Sequence, residues 1–279
     1  MLLRILPGDP AIRIAGIDAS KEGVHLLQKK LGVSRSIWSQ YNEWIYNVLL
    51  YFDWGKSLFS GEEVKSLIKE RLPYSLVLTF VSWICSIIFS FFLVLLTYFY
   101  RKTMVAVEVY EVLLHSTPRV LIALSISYVL SIHWHIVPLW GSVKDSLIIP
   151  IITLALSNAA ILARMLRLTV EEELHAPYVR TARAFGAGHS VILLKHVLPN
   201  VAIPFLSLAG IQLGYLLGGS IILEQIFSVP GLGQLLVTAV FNGDYPIIQA
   251  VVVILSLMFF TTVTIVRLIS HILYTLART

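Results

Sequence analysis

The sequence predicts an all-α polytopic membrane protein, and three observations predict it. Hydrophobic residues fill 57% of its 279 positions and charged ones only 13%, where soluble domains carry about 25% charged residues. The mean hydropathy is +0.82. Five stretches are long and apolar enough to cross a hydrocarbon core of about 30 Å as helices. The charges gather between those stretches, so the formal net charge of +5 builds no continuous basic face. Nucleic acid is thereby excluded as a partner, and the lipid bilayer is the expected surrounding.

Residues 1–72 form a helical segment of soluble character. Asp18 and Ser20 are N-cap types ahead of "KEGVHLLQKKLG". In "SIWSQYNEWIYNVLLYF", Trp38, Tyr41, Ile45, Val48 and Phe52 recur at helical spacing and make one apolar stripe. A partner helix or the membrane surface is expected to cover it. Residues 73–279 then hold the five spans. Pro73–Tyr100, Ser146–Ala163, Val201–Leu223 and Tyr245–Val266 are free of formal charge, whereas Met104–Ile132 carries Glu108, Glu111, His115 and Arg119. Pro150 and Pro204 fall near the expected helix starts, where a missing amide proton costs least.

Orientation follows from lysine and arginine in the short connections. Arg101 and Lys102 follow the first span. Arg164, Arg167, Arg180, Arg183 and Lys195 lie between the third and fourth, and Arg267 and Arg278 follow the fifth. The opposite connections hold only Lys144 and, in Glu224–Asp244, no lysine or arginine. The segment between the third and fourth spans and the C-terminus are therefore expected in the cytoplasm, and residues 1–72 outside.

No catalytic constellation is legible. There is no zinc-binding HExxH helix and no Walker A pattern, and "GAGHS" lacks the phosphate-reaching lysine. "GLG" at Gly231–Gly233 has no strand–helix context. His133 and His135 have the chemistry of metal ligands, but beside Trp134 at a span end they are more simply an interfacial anchor, and no metal site is assigned. The single Cys85 supports neither an intramolecular disulfide nor a cysteine-rich metal site. Its place inside an apolar run reads as buried packing.

One interruption stands out, "VRTARAFGAGHSVILLKHVLPN", Val179–Asn200, which carries several bases and no acid. In "PYVRTARAFGAG" a proline stands where a short helix begins and glycines where it stops. Tyr178, Ala182 and Phe185 would share one face, and Arg180 and Arg183 neighbour each other at i,i+3. "SVILLKHVLP" would form a second short helix running into the next span. A positive-inside loop would explain the charge but not this punctuation.

The insert resembles the signature loop of binding-protein-dependent ABC importer permeases: EAA, three residues, Gly, nine residues, I-x-L-P. Arg180, Thr181 and Ala182 occupy the triplet, Gly186 the glycine, and His196, Leu198 and Pro199 the tail. Ala182, Gly186, Leu198 and Pro199 match the general pattern. "YVRTARA" is typical of the B-type subunit in the dipeptide, oligopeptide and nickel branch, with Phe185 where that branch often has lysine. "LPGDP" (Leu6–Pro10), "QYNEWIYNVL", "DWGKS" (Asp53–Ser57) and "ERLPYSLVL" resemble the same branch. The strongest match is Gly218–Ala250, with Glu224, Phe227, Pro230-Gly231-Leu232-Gly233 and Asp244-Tyr245-Pro246 in the family's order.

The resemblance implies a type I ABC importer transmembrane domain and not an enzyme. It also implies a set of partners: a second homologous permease subunit, two cytoplasmic ATPase subunits that bind the ATP, and an extracytoplasmic solute-binding protein. This chain itself would need no cofactor. The cytoplasmic coupling loop would be 169–200, with 177–199 gripped by an ATPase and Tyr178, Arg180, Thr181, Ala182, Arg183, Phe185, Gly186, His196, Leu198 and Pro199 as its residues. Glu224, Pro230, Gly231, Gly233 and Asp244 would shape an outer-face turn near the binding protein. Gly210, Gly214, Gly218, Gly219 and Ser220 form a small-residue series suited to close helix approach, and Gly214 and Gly218 are candidates for the path. Peptides are the branch's majority cargo and nickel or its chelates the minority one. An autonomous channel or a membrane enzyme is the remote alternative.

Two departures from the family pattern matter. Family members have a span immediately before "PGDP", and here Met1 begins almost at that element. The 279-residue form alone is expected to transport poorly or not at all, so full activity in a strain deleted for the native permease would refute that expectation. The second departure is Arg119 after Pro118, where aromatics are common. An arginine in hydrocarbon costs about 2.5 kcal/mol or more on insertion scales. Two readings stand: His115 and Arg119 share a face and contact an anionic cargo group or gate the path, or Arg119 pairs with Glu108 or Glu111 or snorkels.

Overall fold

The computed structural model describes His25 and residues 36–138 and 143–276. The caps at Asp18 and Ser20, the "LPGDP" element and Arg278 lie outside the described residues. Every regular element described is helical: α1 (Ile37–Tyr51), α2 (Val64–Phe99), a 3₁₀ turn (Arg101–Thr103), α3 (Met104–Ser116), α4 (Arg119–Ser127), a π segment (Tyr128–His133) and α5 (Val143–Leu174). Then come α6 (Pro177–Ala184), a helical turn (His189–Val191), a π segment (Ile192–Val197), α7 (Leu198–Gly219), α8 (Ile221–Ile226), α9 (Leu232–Asn242) and α10 (Tyr245–Leu276). Helices are what an apolar solvent demands, because each satisfies its own backbone.

The chain falls into two compact units, one drawn from Met1–Tyr74 and Pro230–Ser256, the other from Ser75–Val229 and Leu257–Thr279. In the first, Ser36 caps α1 by accepting from the Ser39 amide at 3.3 Å. Val48 is buried while Trp38 and Tyr41 stay exposed. Phe52 does not continue the stripe, because it turns left-handed (φ 50°) and ends the helix. "DWGKS" folds as a tight loop: Asp53 accepts from the Gly55 amide at 2.9 Å, and Gly55 sits at φ +81°. Ser57 then donates to Asp244 Oδ2 at 2.5 Å, 187 positions away, and Arg71 donates to Gln234 at 2.9 Å.

The second unit is the helical bundle, and its contacts fix the chain's path. Tyr98 at the end of α2 donates to the His189 carbonyl at 3.0 Å, beside the insert. The later part of α5 lies at that same end, where Leu166, Val170 and Leu174 pack with Val179. At the other end Leu78, Ala123, Leu154, Leu216 and Leu223 form one cluster. So α2 and α5 both run toward the insert, and α3 with α4 must carry the chain back between them. Helix α7 leaves the insert, and α10 returns antiparallel to it: Ser207 bonds Ser270 at 2.8 Å, while Gly210 meets Val266 and Gly214 meets Phe259. Among the described residues four helices are long and apolar enough to cross a membrane, and the bent pair, taken as one span, makes a fifth crossing.

The second crossing is not the single helix expected over Met104–Ile132. It bends by 112° between Ser116 and Arg119, because Thr117 precedes a proline and is held extended at φ −90°, ψ 130°. The other helices outrun their apolar stretches, so Pro73, Pro150 and Pro204 lie inside α2, α5 and α7 rather than in their first turns. Each forfeits one helical hydrogen bond. Cys85 is exposed rather than buried, on an outer face of α2.

The α7–α10 seam depends on missing side chains. A Cβ on Gly210 would lie 2.2 Å from Val266 Cγ1 and 2.5 Å from its Cβ, whereas one on Gly218 would meet nothing within 4 Å. Gly210→Ala should therefore cost about 1–3 kcal/mol by overpacking and Gly218→Ala far less. Thermal unfolding of the two variants in detergent checks the contrast.

Candidate functional site

The insert is a short amphipathic helix closed by its own backbone. Pro177 starts α6 at a position that needs no amide bond. At the far end Phe185 is the C-cap, and Gly186 turns left-handed at φ +82°. The Gly186 amide donates to the Arg183 carbonyl at 3.0 Å and the Ala187 amide to the Ala182 carbonyl at 3.1 Å. These two bonds are a complete Schellman closure. They give the four-residue spacing of Ala182 and Gly186 a mechanical meaning: one supplies the accepting carbonyl, the other the only backbone that turns there without strain.

One face of α6 is fixed to the bundle. Val179 is fully buried and packs with Tyr178 and Ala187 in the cluster that holds Leu162, Leu166 and Val170 of α5 and Val94 of α2. Burying a valine contributes about 1.5–3 kcal/mol. Tyr178 donates to Glu173 Oε2 at 2.5 Å, and burial together with that bond pushes its hydroxyl above the usual pKa, so it stays a donor. Beyond Gly188, the π segment Ile192–Val197 buries Ile192, Leu193 and Val197 in the same cluster. Its wider i→i+5 turn sets residues five apart on one side, which α spacing would not. Leu198 packs on that cluster and Pro199 sits exposed in the first turn of α7. His196 is half-buried, and its carbonyl accepts from Asn200 at 3.1 Å.

The other face is open. Arg180, Thr181, Arg183, Ala184 and Gly186 are exposed, and Phe185 is 89% exposed. The expected grouping of Tyr178, Ala182 and Phe185 therefore fails at Phe185, which has left the helix by its cap. Val179 is the true inward anchor. Its signal was the alternation of one aliphatic residue among polar ones in "YVRTAR". Beside the insert lies a cleft of about 690 Å³ whose lining includes Tyr98, Arg101, Arg167, Glu171, Arg183 and His189.

Glu108 and Glu111 do not pair with Arg119. Both hold Arg167 of α5, Glu111 through Oε2 at 2.8 Å and Glu108 through Oε1 at 3.1 Å, and Glu111 keeps only 2% exposure. His115 is exposed in the last turn of α3, and the bend after it removes the shared face expected with Arg119. The Arg119 guanidinium lies against Gly219, its Nη1 1.8 Å from where a Cβ would stand. Gly214 lies under the Phe259 ring, and Gly218 is exposed.

Glu224, expected in an outer-face turn, lies in α8 with its side chain turned inward. It is fully buried in the bundle, where Ser75 donates to Oε1 at 2.9 Å and Ser220 at 3.1 Å. In the other unit Gly231 caps α9, with its carbonyl accepting from the Leu235 amide at 3.1 Å. Gly233 is buried, Pro230 is half-buried, and Asp244 is buried against Ser57.

The fold and this site define the membrane subunit of an ABC importer. Residues 73–278 match the family model for the binding-protein-dependent transport system inner membrane component, and residues 1–79 match its N-terminal companion. The chain belongs to this family. It is 33% identical over 280 residues to the glutathione transport system permease protein GsiC of Escherichia coli (strain K12), covering 98% of this chain and 89% of that one. It is also 33% identical over 267 residues to the probable peptide ABC transporter permease protein y4tP of Sinorhizobium fredii (strain NBRC 101917 / NGR234), covering 92% and 85%. Among solved structures, an amino acid ABC transporter with histidines superposes with a TM-score of 0.62 at 17% identity, over 74% of this chain and 94% of that one. The MetNI methionine ABC transporter in an inward-facing form gives 0.61 at 19% identity, over 75% and 96%. These two show the fold, which is that of type I importers. The chain is thus a multi-pass inner-membrane transport component that works with ATPase and permease subunits, and the ATP chemistry resides in those partners.

The ion pair at the insert end offers a direct test of packing. Arg167→Gln should destabilise by about 3–5 kcal/mol, because it strands a buried Glu111 carboxylate. Adding Glu111→Gln should recover most of that loss in a thermal-unfolding cycle.

Proposed function

We propose that this permease carries peptides inward and is driven through the insert Pro177–Pro199, which a cytoplasmic ATPase grips on its open face. The observation that carries the reading is that α6 is exposed on one side and shares a buried cluster with α2, α5 and α7 on the other. A force on the exposed side therefore reaches three crossings through packed side chains. Arg180, Thr181, Arg183 and Phe185 are the contact surface. Ala182 and Gly186 hold the knob's shape, and Leu198 and Pro199 pass its movement into α7.

In this reading the insert and the end of α10 lie in the cytoplasm, as the lysine and arginine distribution requires. Two ATPases serve two homologous permeases, which together line the path, and residues 1–72 face outward. A solute-binding protein delivers cargo on the outer side, and Gly231, Gly233 and Asp244 are the residues that would shape the turn near it. Glutathione and peptides are the cargoes named for the relatives, which favours peptide over nickel here.

Gly186→Pro removes the amide that bonds Arg183 and forbids φ +82°. The complete transporter carrying it should keep basal ATP hydrolysis but lose peptide uptake at least tenfold. Insertion, read by protease protection, should stay normal. Unchanged uptake would sink the loop assignment. Failure to co-purify with ATPases, together with solute flux through this chain alone in liposomes, would sink the importer reading.

A further inference from the structure

Arg119 is a buried-side cation whose two nearest acids in sequence are taken. Glu108 and Glu111 hold Arg167, and the 112° bend turns α4 away from them. Among the described residues no hydrogen bond or ion pair reaches the Arg119 guanidinium. It does not snorkel along its own helix either, since its Nη1 rests where a side chain of Gly219 would stand. Helix α7 rises about 1.5 Å per residue, so Gly219, 21 residues beyond Leu198, stands roughly 30 Å from the insert. The cation thus lies at the end remote from the coupling knob. An ionisable group within a crossing is costly, and such groups characteristically serve substrate or ion paths.

We propose that Arg119, seated on Gly219, is an anion-binding position that engages the carboxylate terminus of the cargo as it enters the path. The inference rests on the peptide-importer reading and names the group by which a peptide would be held there. A guanidinium presents a planar fork that matches a carboxylate in two parallel hydrogen bonds. The local geometry suits such a contact: the half-buried side chain makes no hydrogen bond among the described residues, and the absence of a Cβ on Gly219 is what lets its guanidinium sit there. Glu224 Oε1, for its part, accepts from Ser75 and Ser220.

The test is uptake by the complete transporter, with its ATPases, second permease and binding protein, in a host lacking other peptide importers. The probes are labelled trialanine as the free acid and as the C-terminal amide, with binding-protein affinity for each measured separately and divided out. Arg119→Gln should cut free-acid uptake about tenfold and leave amide uptake within twofold. Arg119→Lys should recover part of the loss. Gly219→Ala displaces only the mobile tip of a side chain, so it should fold normally and lower free-acid uptake selectively. An equal loss for both probes, or no loss for either, overturns the proposal. Wild-type uptake of neither probe overturns the peptide reading itself, and the carboxylate contact with it.

Discussion

Everything the bundle can transmit depends on one packing constraint: Val179, Ile192, Leu193 and Val197 of the insert are buried in the same cluster as Leu162, Leu166 and Val170 of α5 and Val94 of α2. A close-packed interior has few voids and low compressibility, so displacements pass through it rather than dissipating. Had the insert been an exposed loop tethered at both ends, a partner could bind it without moving any crossing. Its inner face makes it part of the bundle, while its outer face remains free for a partner.

Around this cluster the helices are cross-linked by polar groups that have nowhere else to go. Trp83 of α2 donates to the Ala209 carbonyl of α7 at 2.7 Å, Asn158 of α5 donates to Ser86 of α2 at 2.7 Å, and Tyr110 of α3 donates to the Leu156 carbonyl of α5 at 2.7 Å. Interhelical hydrogen bonds of this kind are worth around 0.6–2 kcal/mol in a bilayer. They fix helix rotation more than they add stability. The α7–α10 seam has no such bond at Gly210 and Gly214 and relies on close approach, with Ser207–Ser270 as its polar tie.

Much of this was legible in the sequence, for identifiable reasons. Apolar length disclosed the four long crossing helices because the hydrocarbon thickness sets it directly. The punctuation of α6 disclosed its ends, because proline and glycine act through their own backbone geometry. The break at Thr117 was written in the same language, an X-Pro step, but a hydropathy window sums over direction and hid it. Pairing across the bundle was not legible: whether Glu111 meets Arg119 on the next segment or Arg167 of α5 depends on helix rotation. The same holds for Glu224, whose bonds to Ser75 and Ser220 depend on which face of α8 turns inward. Cys85 shows the converse, since an apolar neighbourhood in sequence says nothing about which face of a helix meets the exterior.

The Schellman closure at Gly186 separates the form of the knob from what is written on it. Main-chain bonds and one glycine hold its closing turn, and neither Arg180 nor Arg183 nor Phe185 contributes a side chain to that turn. The outer residues are therefore free to change like an address on an envelope of fixed shape. Two permeases could present the same lever to different ATPases by exchanging three or four exposed side chains, with no repacking beneath.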